Sequence, residues 1–172
     1  EALRAQVAMM LPAGDATIFD LYSPEPEVAQ NSWVEFSTDA MFTQPMRLWA
    51  DYMQNVSSSA YLYWWTWAPV VEGSDKYGAF HAAEVPFEFG DLSTFNMTSR
   101  PEDEVFSDLM MKIWTNFAKT GNPSVEGVLD WPAYDSERAN TAVLGKELSV
   151  EPGIRSERVE KITAAYSAQR SK

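Results

Sequence analysis

Residues 59–66 read Ser-Ala-Tyr-Leu-Tyr-Trp-Trp-Thr, and this stretch does most to decide the fold. Its side chains are almost all aromatic or apolar, which is the pattern of a strand buried on both faces. Strands of that kind occur in parallel sheets that are covered by helices. Residues 59–66 therefore predict a mixed α/β fold with parallel strand character.

A helix is predicted on the N-terminal side of this strand, over residues 38–54, opening at Thr38-Asp39. We expect Pro45 to kink or interrupt it, because proline lacks the backbone N–H that a helix interior needs. The apolar set of this helix consists of Met41, Phe42, Met46, Leu48, Trp49 and Tyr52.

A second helix is predicted to open at Ser99-Arg100-Pro101-Glu102, which has the Ser-x-x-Glu form of a capping box. Its end is expected at Gly121, where Gly-Asn-Pro supplies a C-terminal cap and a helix breaker. Three acidic residues in its first turn suit the helix dipole and are interpreted as a solvated cap. These are Glu102, Asp103 and Glu104, and the apolar face consists of Phe106, Leu109, Met110, Ile113, Trp114 and Phe117.

Three further elements are predicted near the ends of the chain. Residues 1–11 have helical spacing of apolar side chains, and residues 141–150 suit a final short strand. A closing helix is expected over about 155–168, with Val159, Ile162, Ala165 and Tyr166 facing inward.

Composition excludes several classes of function. The 172 residues carry 13 basic and 25 acidic side chains, a net charge of -12, which repels nucleic acid and anionic membrane surfaces. No apolar run approaches the roughly 20 residues of a membrane-spanning helix. A single histidine and no cysteine leave no disulfide, no thiol nucleophile and no convincing metal-ligand set.

His81 is the only histidine and the main candidate for chemistry. It follows the loop after the buried strand, beside Gly78, and in open α/β sheets functional groups collect beyond the carboxyl ends of strands. There an imidazole can act as a general base, although a lone histidine can equally be a hydrogen-bonded structural residue. Glu84, three residues on, is close enough to fix the local geometry. No Gly-x-Ser-x-Gly nucleophile motif is present.

The aromatic run after residue 60 leaves a second interpretation open. Tyr61, Tyr63, Trp64, Trp65 and Trp67 could form a stacking platform in a small carbohydrate-binding module. That interpretation predicts exposed indole rings at positions 64, 65 and 67. Packing in the core of an α/β fold predicts that most of them are buried.

Several ordered blocks resemble a known family. Residues 78–90, Gly-Ala-Phe-His-Ala-Ala-Glu-Val-Pro-Phe-Glu-Phe-Gly, resemble the histidine motif of type-B carboxylesterases, the cholinesterase-like branch of the α/β-hydrolases. Residues 114–123 resemble the late helix of that family and its end. The Trp-Pro-Ala-Tyr of residues 131–134 and the strand at 60–63 resemble flanking segments. The match covers most of the chain from about residue 38 onward.

The resemblance implies that residues 1–172 are the C-terminal segment of one α/β-hydrolase domain. In that family the catalytic order is Ser, then Glu or Asp, then His, so His81 would be the triad base. Glu84 would hold the loop without reacting. The N-terminal part of the same enzyme, expected upstream of Glu1, would carry the nucleophilic serine and the triad acid.

The implied substrate is a small-molecule ester, hydrolysed through an acyl-enzyme without a cofactor or metal. A catalytically silent member that uses the fold for binding or adhesion is the alternative, which retention of His81 disfavours.

This sequence departs from the family motif at a few positions. Ala82 and Ala83 stand where the family often has an aromatic or other residue, which bears on pocket shape. Glu88 stands where an apolar residue is common. The lack of cysteine favours a microbial carboxylesterase over an animal cholinesterase. It does not identify the compartment, and a secreted or periplasmic location is slightly preferred over a cytoplasmic one.

Overall fold

The structure is a computed structural model that describes residues 1–11, 16–72 and 78–170. The chain divides into two compact units: unit 1 is Glu1–Val56 with Gly153–Lys172, and unit 2 is Ser57–Pro152. The helices are α1 (Ala2–Met10), α2 (Ala29–Thr38), α3 (Gln44–Met53), α4 (Val85–Phe89), α5 (Pro101–Thr120) and α6 (Ser156–Arg170). The strands are β1 (Tyr63–Trp65), β2 (Thr141–Leu144) and β3 (Ser149–Glu151). Short 3₁₀ turns lie at Ala16–Asp20 and Thr94–Asn96.

Unit 1 is helical and has its own apolar core. Helix α1 contributes Leu3 and Val7, and α6 contributes Ile162 and Ala165. The predictions for both ends of the chain are confirmed, because α1 and α6 have nearly the expected bounds and bury the expected face. Tyr166 is only partly buried beside this core.

The helix expected at 38–54 proves to be two helices joined by a wider turn. Helix α2 starts earlier, at Ala29, and the π-helical turn Asp39–Thr43 leads into α3. Pro45 lies in the first turn of α3, directly after the π-helical turn. The interruption predicted around Pro45 therefore occurs just before it.

The apolar set of this helix does not form a buried face of unit 1. Met41, Phe42, Met46, Trp49 and Tyr52 are exposed, with Trp49 and Tyr52 each 62% accessible, and Leu48 is only partly buried.

The face of α3 that unit 1 buries is instead largely polar. It consists of Gln44, Arg47 and Ala50. Gln44 Nε2 donates to Thr163 Oγ1 at 3.2 Å, and Arg47 Nη2 donates to the Ile154 carbonyl at 3.0 Å. These partners satisfy the buried polar groups, as burial requires.

Unit 2 contains a three-stranded sheet among its described residues, in the order β1-β2-β3. Strand β1 pairs with β2 in parallel, with Trp64 opposite Val143, which confirms the parallel character expected for residues 59–66. The strand is shorter than predicted and only half-buried, because β1 lies at the edge of this sheet. The strand expected at 141–150 is two antiparallel strands, β2 and β3.

Helix α5 ends as predicted but starts with a different cap. Gly121 adopts a left-handed φ of 74° at its end. At its start Arg100 is the N-cap residue, and the capping box joins Arg100 to Asp103 instead of Ser99 to Glu102. Asp103 is fully buried, so the expectation of a solvated cap is wrong for this carboxylate.

The core of unit 2 is rich in aromatic rings. Trp67 is 8% exposed and stacks on Phe106 with 4.2 Å between ring centroids, while Trp64 and Trp65 are partly buried. Phe106, Met110 and Ile113 of α5 are buried as predicted, whereas Leu109 and Trp114 are partly buried and Phe117 is exposed. This burial contradicts the carbohydrate-binding interpretation, which required an exposed tryptophan platform.

Every helix within the described ranges is too short or too polar to cross a bilayer.

Candidate active site: the histidine turn

His81 lies in a tight turn, which we call the histidine turn (residues 80–84), directly before α4. The Ala83 N–H donates to the Phe80 carbonyl at 3.0 Å, and the Val85 N–H donates to the Ala82 carbonyl at 3.3 Å. The His81 side chain is exposed, whereas Ala83 is fully buried. The turn therefore presents an accessible imidazole on an anchored backbone.

The backbone of the histidine turn carries local strain. Ala82, the residue after the histidine, has a φ of 66°, in the left-handed region that side chains with a Cβ disfavour. Such residues persist only where the surrounding structure enforces them, and they cluster at functional sites. Gly78 also has a positive φ, of 56°, as expected for the glycine that lets the chain turn before His81.

Helix α4 ties the histidine turn to the core of unit 2. Phe87 is fully buried, with its ring centroid 5.4 Å from that of Trp65 and 5.8 Å from that of Phe106. The Ser107 hydroxyl of α5 donates to the Phe87 carbonyl at 2.9 Å. A helix as short as α4 is not stable alone, so these contacts hold the turn in place.

Glu84 occupies the N-cap position of α4 and is connected to the sheet. The Tyr63 hydroxyl, from β1, lies close enough to the Glu84 carboxylate to interact with it. Burial, the charges of Glu84 and Glu88, and the polar interaction with Glu84 together raise the pKa of Tyr63 above its usual range. The phenol therefore stays protonated and remains a donor.

Glu88 is a third titratable group beside this pair. It lies one helical turn after Glu84 and is half-buried. Burial and the nearby charge of Glu84 raise the pKa of Glu88 to about 7. In the sequence, Glu88 stands out only as a departure from the family motif. Its four-residue spacing from Glu84 was the signal that the two carboxyl groups share a helix face.

Among the described residues, no group of three or more His, Asp or Glu side chains is placed to hold a metal ion.

The sequence profile of the carboxylesterase family matches residues 5–162. The chain belongs to this family. It is 36% identical over 149 residues to the para-nitrobenzyl esterase of Bacillus subtilis, an alignment covering 84% of this chain and 29% of that protein. It is 29% identical over 147 residues to the human bile salt-activated lipase, covering 78% of this chain and 20% of the lipase.

Solved carboxylesterase structures share the fold of this chain. A thermophilic para-nitrobenzyl esterase superposes with a TM-score of 0.72 at 31% identity, covering 94% of this chain and 33% of the other. A carboxylesterase from Geobacillus stearothermophilus gives a TM-score of 0.76 at 25% identity, covering 92% and 34%. This chain therefore forms part of an α/β-hydrolase fold, as the resemblance implied. The chain spans about a fifth to a third of the length of these relatives.

Proposed function

We propose that this chain supplies the general base, His81, to a serine carboxylesterase. The observation that carries the proposal is the histidine turn, an exposed imidazole on a strained backbone that α4 anchors to the core. The carboxylesterase family match over residues 5–162 supports ester hydrolysis as the reaction class.

In the proposed mechanism His81 moves one proton twice. The imidazole accepts the proton of a serine hydroxyl as the serine oxygen attacks the ester carbonyl carbon. The resulting imidazolium then protonates the leaving alcohol oxygen as the ester C–O bond breaks, which leaves an acyl-serine. In the second half-reaction His81 deprotonates water, which releases the acid, and returns the proton to the serine.

We infer that the serine and the triad acid lie in further polypeptide that completes the hydrolase domain. One line of support is length, since this chain aligns with only about a third of each solved relative. Support also comes from the apolar side chains of the Asp39–Thr43 turn and α3 that unit 1 leaves exposed. We call the polypeptide that carries this chain together with the rest of that domain the complete esterase.

Glu84 is proposed to position the histidine turn without reacting. Its interaction with the Tyr63 hydroxyl links the N-cap residue of α4 to β1, which limits how the preceding residues can move. We expect Glu84→Gln in the complete esterase to lower kcat about 10–100-fold, the scale found for orienting partners at metal sites. A loss as large as that from removing His81 would instead make Glu84 the triad acid.

Replacement of His81 tests the proposal. In the complete esterase, His81→Gln is expected to lower kcat for a p-nitrophenyl ester by about 10⁴-fold or more, because the serine loses its base. Lys146→Gln, an exposed position in unit 2, is the control and should retain wild-type turnover. A His81→Gln variant that kept more than about a tenth of wild-type kcat would remove His81 from the mechanism. A wild-type enzyme without turnover on any ester would favour the silent, binding member of the family.

A further inference from the structure

The segment after α4, residues 91–98, contacts the histidine turn through an aromatic pair; we call it the 91–98 loop. The ring of Phe95 meets the ring of Phe80 edge to face, with 5.9 Å between the centroids and 77° between the ring planes. Phe80 directly precedes His81, and its carbonyl accepts the hydrogen bond from the Ala83 N–H within the histidine turn. The Phe95 ring therefore packs on the residue from which the His81 backbone continues.

The 91–98 loop is fixed at both of its ends. The Asp91 N–H donates to the Pro86 carbonyl of α4 at 2.9 Å. The Thr98 N–H donates to the Val70 carbonyl, in the segment after β1, at 2.8 Å. The loop is thus tied both to the helix that follows the histidine turn and to the chain between β1 and that turn.

Side chains on either side of Phe95 anchor the middle of the loop. Leu92 and Met97 are partly buried and pack against the core of unit 2. The Asp91 carboxylate accepts a hydrogen bond from the Ser93 hydroxyl at 2.6 Å. These contacts hold the backbone that carries the Phe95 ring.

Phe95 makes its contact from a strained backbone. Its φ is 61°, and the φ of Asn96 is 53°, so both lie in the left-handed region, where a bulky side chain is an outlier. Because the Phe95 side chain is 49% exposed, burial of its ring alone does not explain this conformation. Ala82 in the histidine turn also has a positive φ, and strained residues cluster at functional sites. Two strained segments therefore meet where Phe80 and Phe95 pack.

We propose that Phe95 is a positioning residue that restrains the histidine turn through Phe80 and so keeps the His81 imidazole in its productive orientation. The inference rests on the proposed function of His81. The α4 contacts hold the turn from the residues after His81, whereas Phe95 holds it from the residue before. A general base must stay within hydrogen-bond reach of the proton it accepts, and a misplacement of about 1 Å can cost about 100-fold in rate.

The first experiment measures the kinetics of the complete esterase with a p-nitrophenyl ester. Phe95→Ala keeps a Cβ, and with it the backbone strain, but removes the ring. We expect kcat and kcat/KM to fall together by about 10-fold, with KM unchanged, because the ring acts on the base and not on substrate affinity. Phe95→Tyr keeps the ring and should retain wild-type kcat. A kcat in Phe95→Ala equal to that of the wild type would overturn the inference.

Phe117→Ala is the matched control. Phe117 lies near the C-terminal end of α5, is 47% exposed and meets the ring of Tyr61 edge to face at 5.7 Å, so this pair resembles the Phe80–Phe95 pair in exposure and geometry. The Phe117→Ala and Phe95→Ala variants should lose a similar amount in denaturation midpoint, but only Phe95→Ala should lose turnover. Equal losses of kcat in the two variants would show a general effect of destabilisation and overturn the inference.

A double variant tests whether the ring contact carries the effect. Phe80→Ala should lower kcat at least as much as Phe95→Ala does, because it removes the other half of the pair. Adding Phe95→Ala to Phe80→Ala should then lower kcat by less than about 2-fold, since the contact is already lost. A further loss of about 10-fold would mean that Phe95 does not act through Phe80, and it would overturn the inference.

An NMR measurement separates this inference from the proposed function, because it needs no turnover. In the complete esterase labelled with ¹³C-histidine, the ring signal of His81 is identified by its absence in His81→Gln. Phe95→Ala should broaden or shift this signal, whereas Phe117→Ala should leave it unchanged. A His81 signal that is the same in Phe95→Ala and wild type would overturn the inference even if His81→Gln were inactive. Retained turnover in His81→Gln would refute the proposed function independently of the NMR result.

Discussion

Ala82 places a Cβ in the left-handed region immediately after the proposed general base, at a φ of 66°. For a residue other than glycine this conformation costs roughly 1–2 kcal/mol, part of which glycine would recover. The sequence shows alanine at this position but not its conformation, because alanine by itself favours a negative φ. Ala139, with a φ of 50° in a loop of unit 2 away from the histidine turn, offers a matched comparison.

Ala82→Gly is expected to stabilise the complete esterase by about 0.5–1 kcal/mol, since it relieves the strain at some cost in backbone entropy. Ester turnover should fall several-fold, because the freer backbone lets His81 leave its productive orientation. Ala139→Gly should give a similar gain in stability with unchanged turnover. The denaturation midpoint and kcat of both variants test these expectations. Lower stability in both variants would show that the positive φ of neither alanine costs free energy.

Glu88 should also make stability depend on pH. Its pKa is raised from 4.5 to about 7 by burial and the charge of Glu84, so the folded state binds a proton that the unfolded state releases. Stability from this group is fully present below about pH 4.5 and is lost as the pH rises to 7. For a half-buried carboxyl we expect a loss of about 1–2 kcal/mol.

The measurement is the free energy of unfolding of the complete esterase against pH, for wild type and Glu88→Gln. The glutamine variant should lack this decline and exceed the wild type in stability above pH 7. Equal slopes for the two proteins between about pH 4.5 and 7 would show that Glu88 titrates normally.

At the scale of elements, helix α5 shows how capping can be decided by tertiary contacts. Three acidic residues occupy its first turn, and the sequence pattern did not distinguish them. Asp103 reaches back to the backbone of the N-cap, where its Oδ2 accepts from the Arg100 N–H at 2.8 Å. Its Oδ1 accepts from Trp67 Nε1 at 2.7 Å, which links the helix to the segment after β1.

We expect Asp103→Ala to destabilise the complete esterase by about 3 kcal/mol, because it leaves the buried Trp67 N–H without its acceptor and removes the buried carboxylate that pairs with Arg100. Glu104→Ala, in the same turn but exposed, should cost less than about 0.5 kcal/mol. Urea denaturation of both variants tests this. Equal effects would restore the solvated-cap interpretation.

The stability that Asp103 contributes also depends on pH, and the direction follows from its pKa. Burial opposes ionisation of Asp103, but the hydrogen bonds from Arg100 and Trp67 outweigh it and lower its pKa below the usual 3.8. Its contribution to stability is present above that value and is lost as the pH falls through the lowered pKa.

The other helices show how much the spacing of apolar side chains can predict. The spacing of apolar side chains predicted α1, α5 and α6 almost to their ends, because each buries one face within the described residues. The same kind of pattern in residues 41–52 identified helical structure correctly, but it did not show which side chains of that helix are buried in unit 1. The buried face of α3 instead carries Gln44 and Arg47. Their hydrogen-bond acceptors lie far along the chain, in α6 and in the segment just before it.

At the scale of the whole molecule, unit 1 leaves apolar side chains of the Asp39–Thr43 turn and α3 exposed. Phe42, Met46 and Trp49 follow one another at spacings of four and three residues, so they form a stripe on one side of the Asp39–Thr43 turn and α3. Contiguous exposed apolar surface of this kind marks an interaction site in soluble proteins. The sequence anticipated the family, because short motifs carry the resemblance. The pairing of Glu84 with Tyr63 was not predictable, since it depends on how α4 and β1 pack.

Trp49→Ser is expected to destabilise the complete esterase by about 3 kcal/mol, because the rest of the domain loses a buried indole. Met9→Ser, on the exposed face of α1, is the control and should cost less than about 0.5 kcal/mol. The measurement is the thermal unfolding of the two variants, compared with the wild type. A Trp49→Ser enzyme as stable as the control would mean that nothing in the complete esterase covers this stripe.

The central claim is that His81 activates a serine that lies outside these residues. Its most direct measurement is the rate at which a p-nitrophenyl phosphonate ester labels the complete esterase covalently, followed by intact mass and release of p-nitrophenol. We predict rapid labelling of one serine in the wild type, labelling at least about 10³-fold slower in His81→Gln, and none in residues 1–172 alone. Equal labelling rates in wild type and His81→Gln, or a label on this chain by itself, would contradict the account.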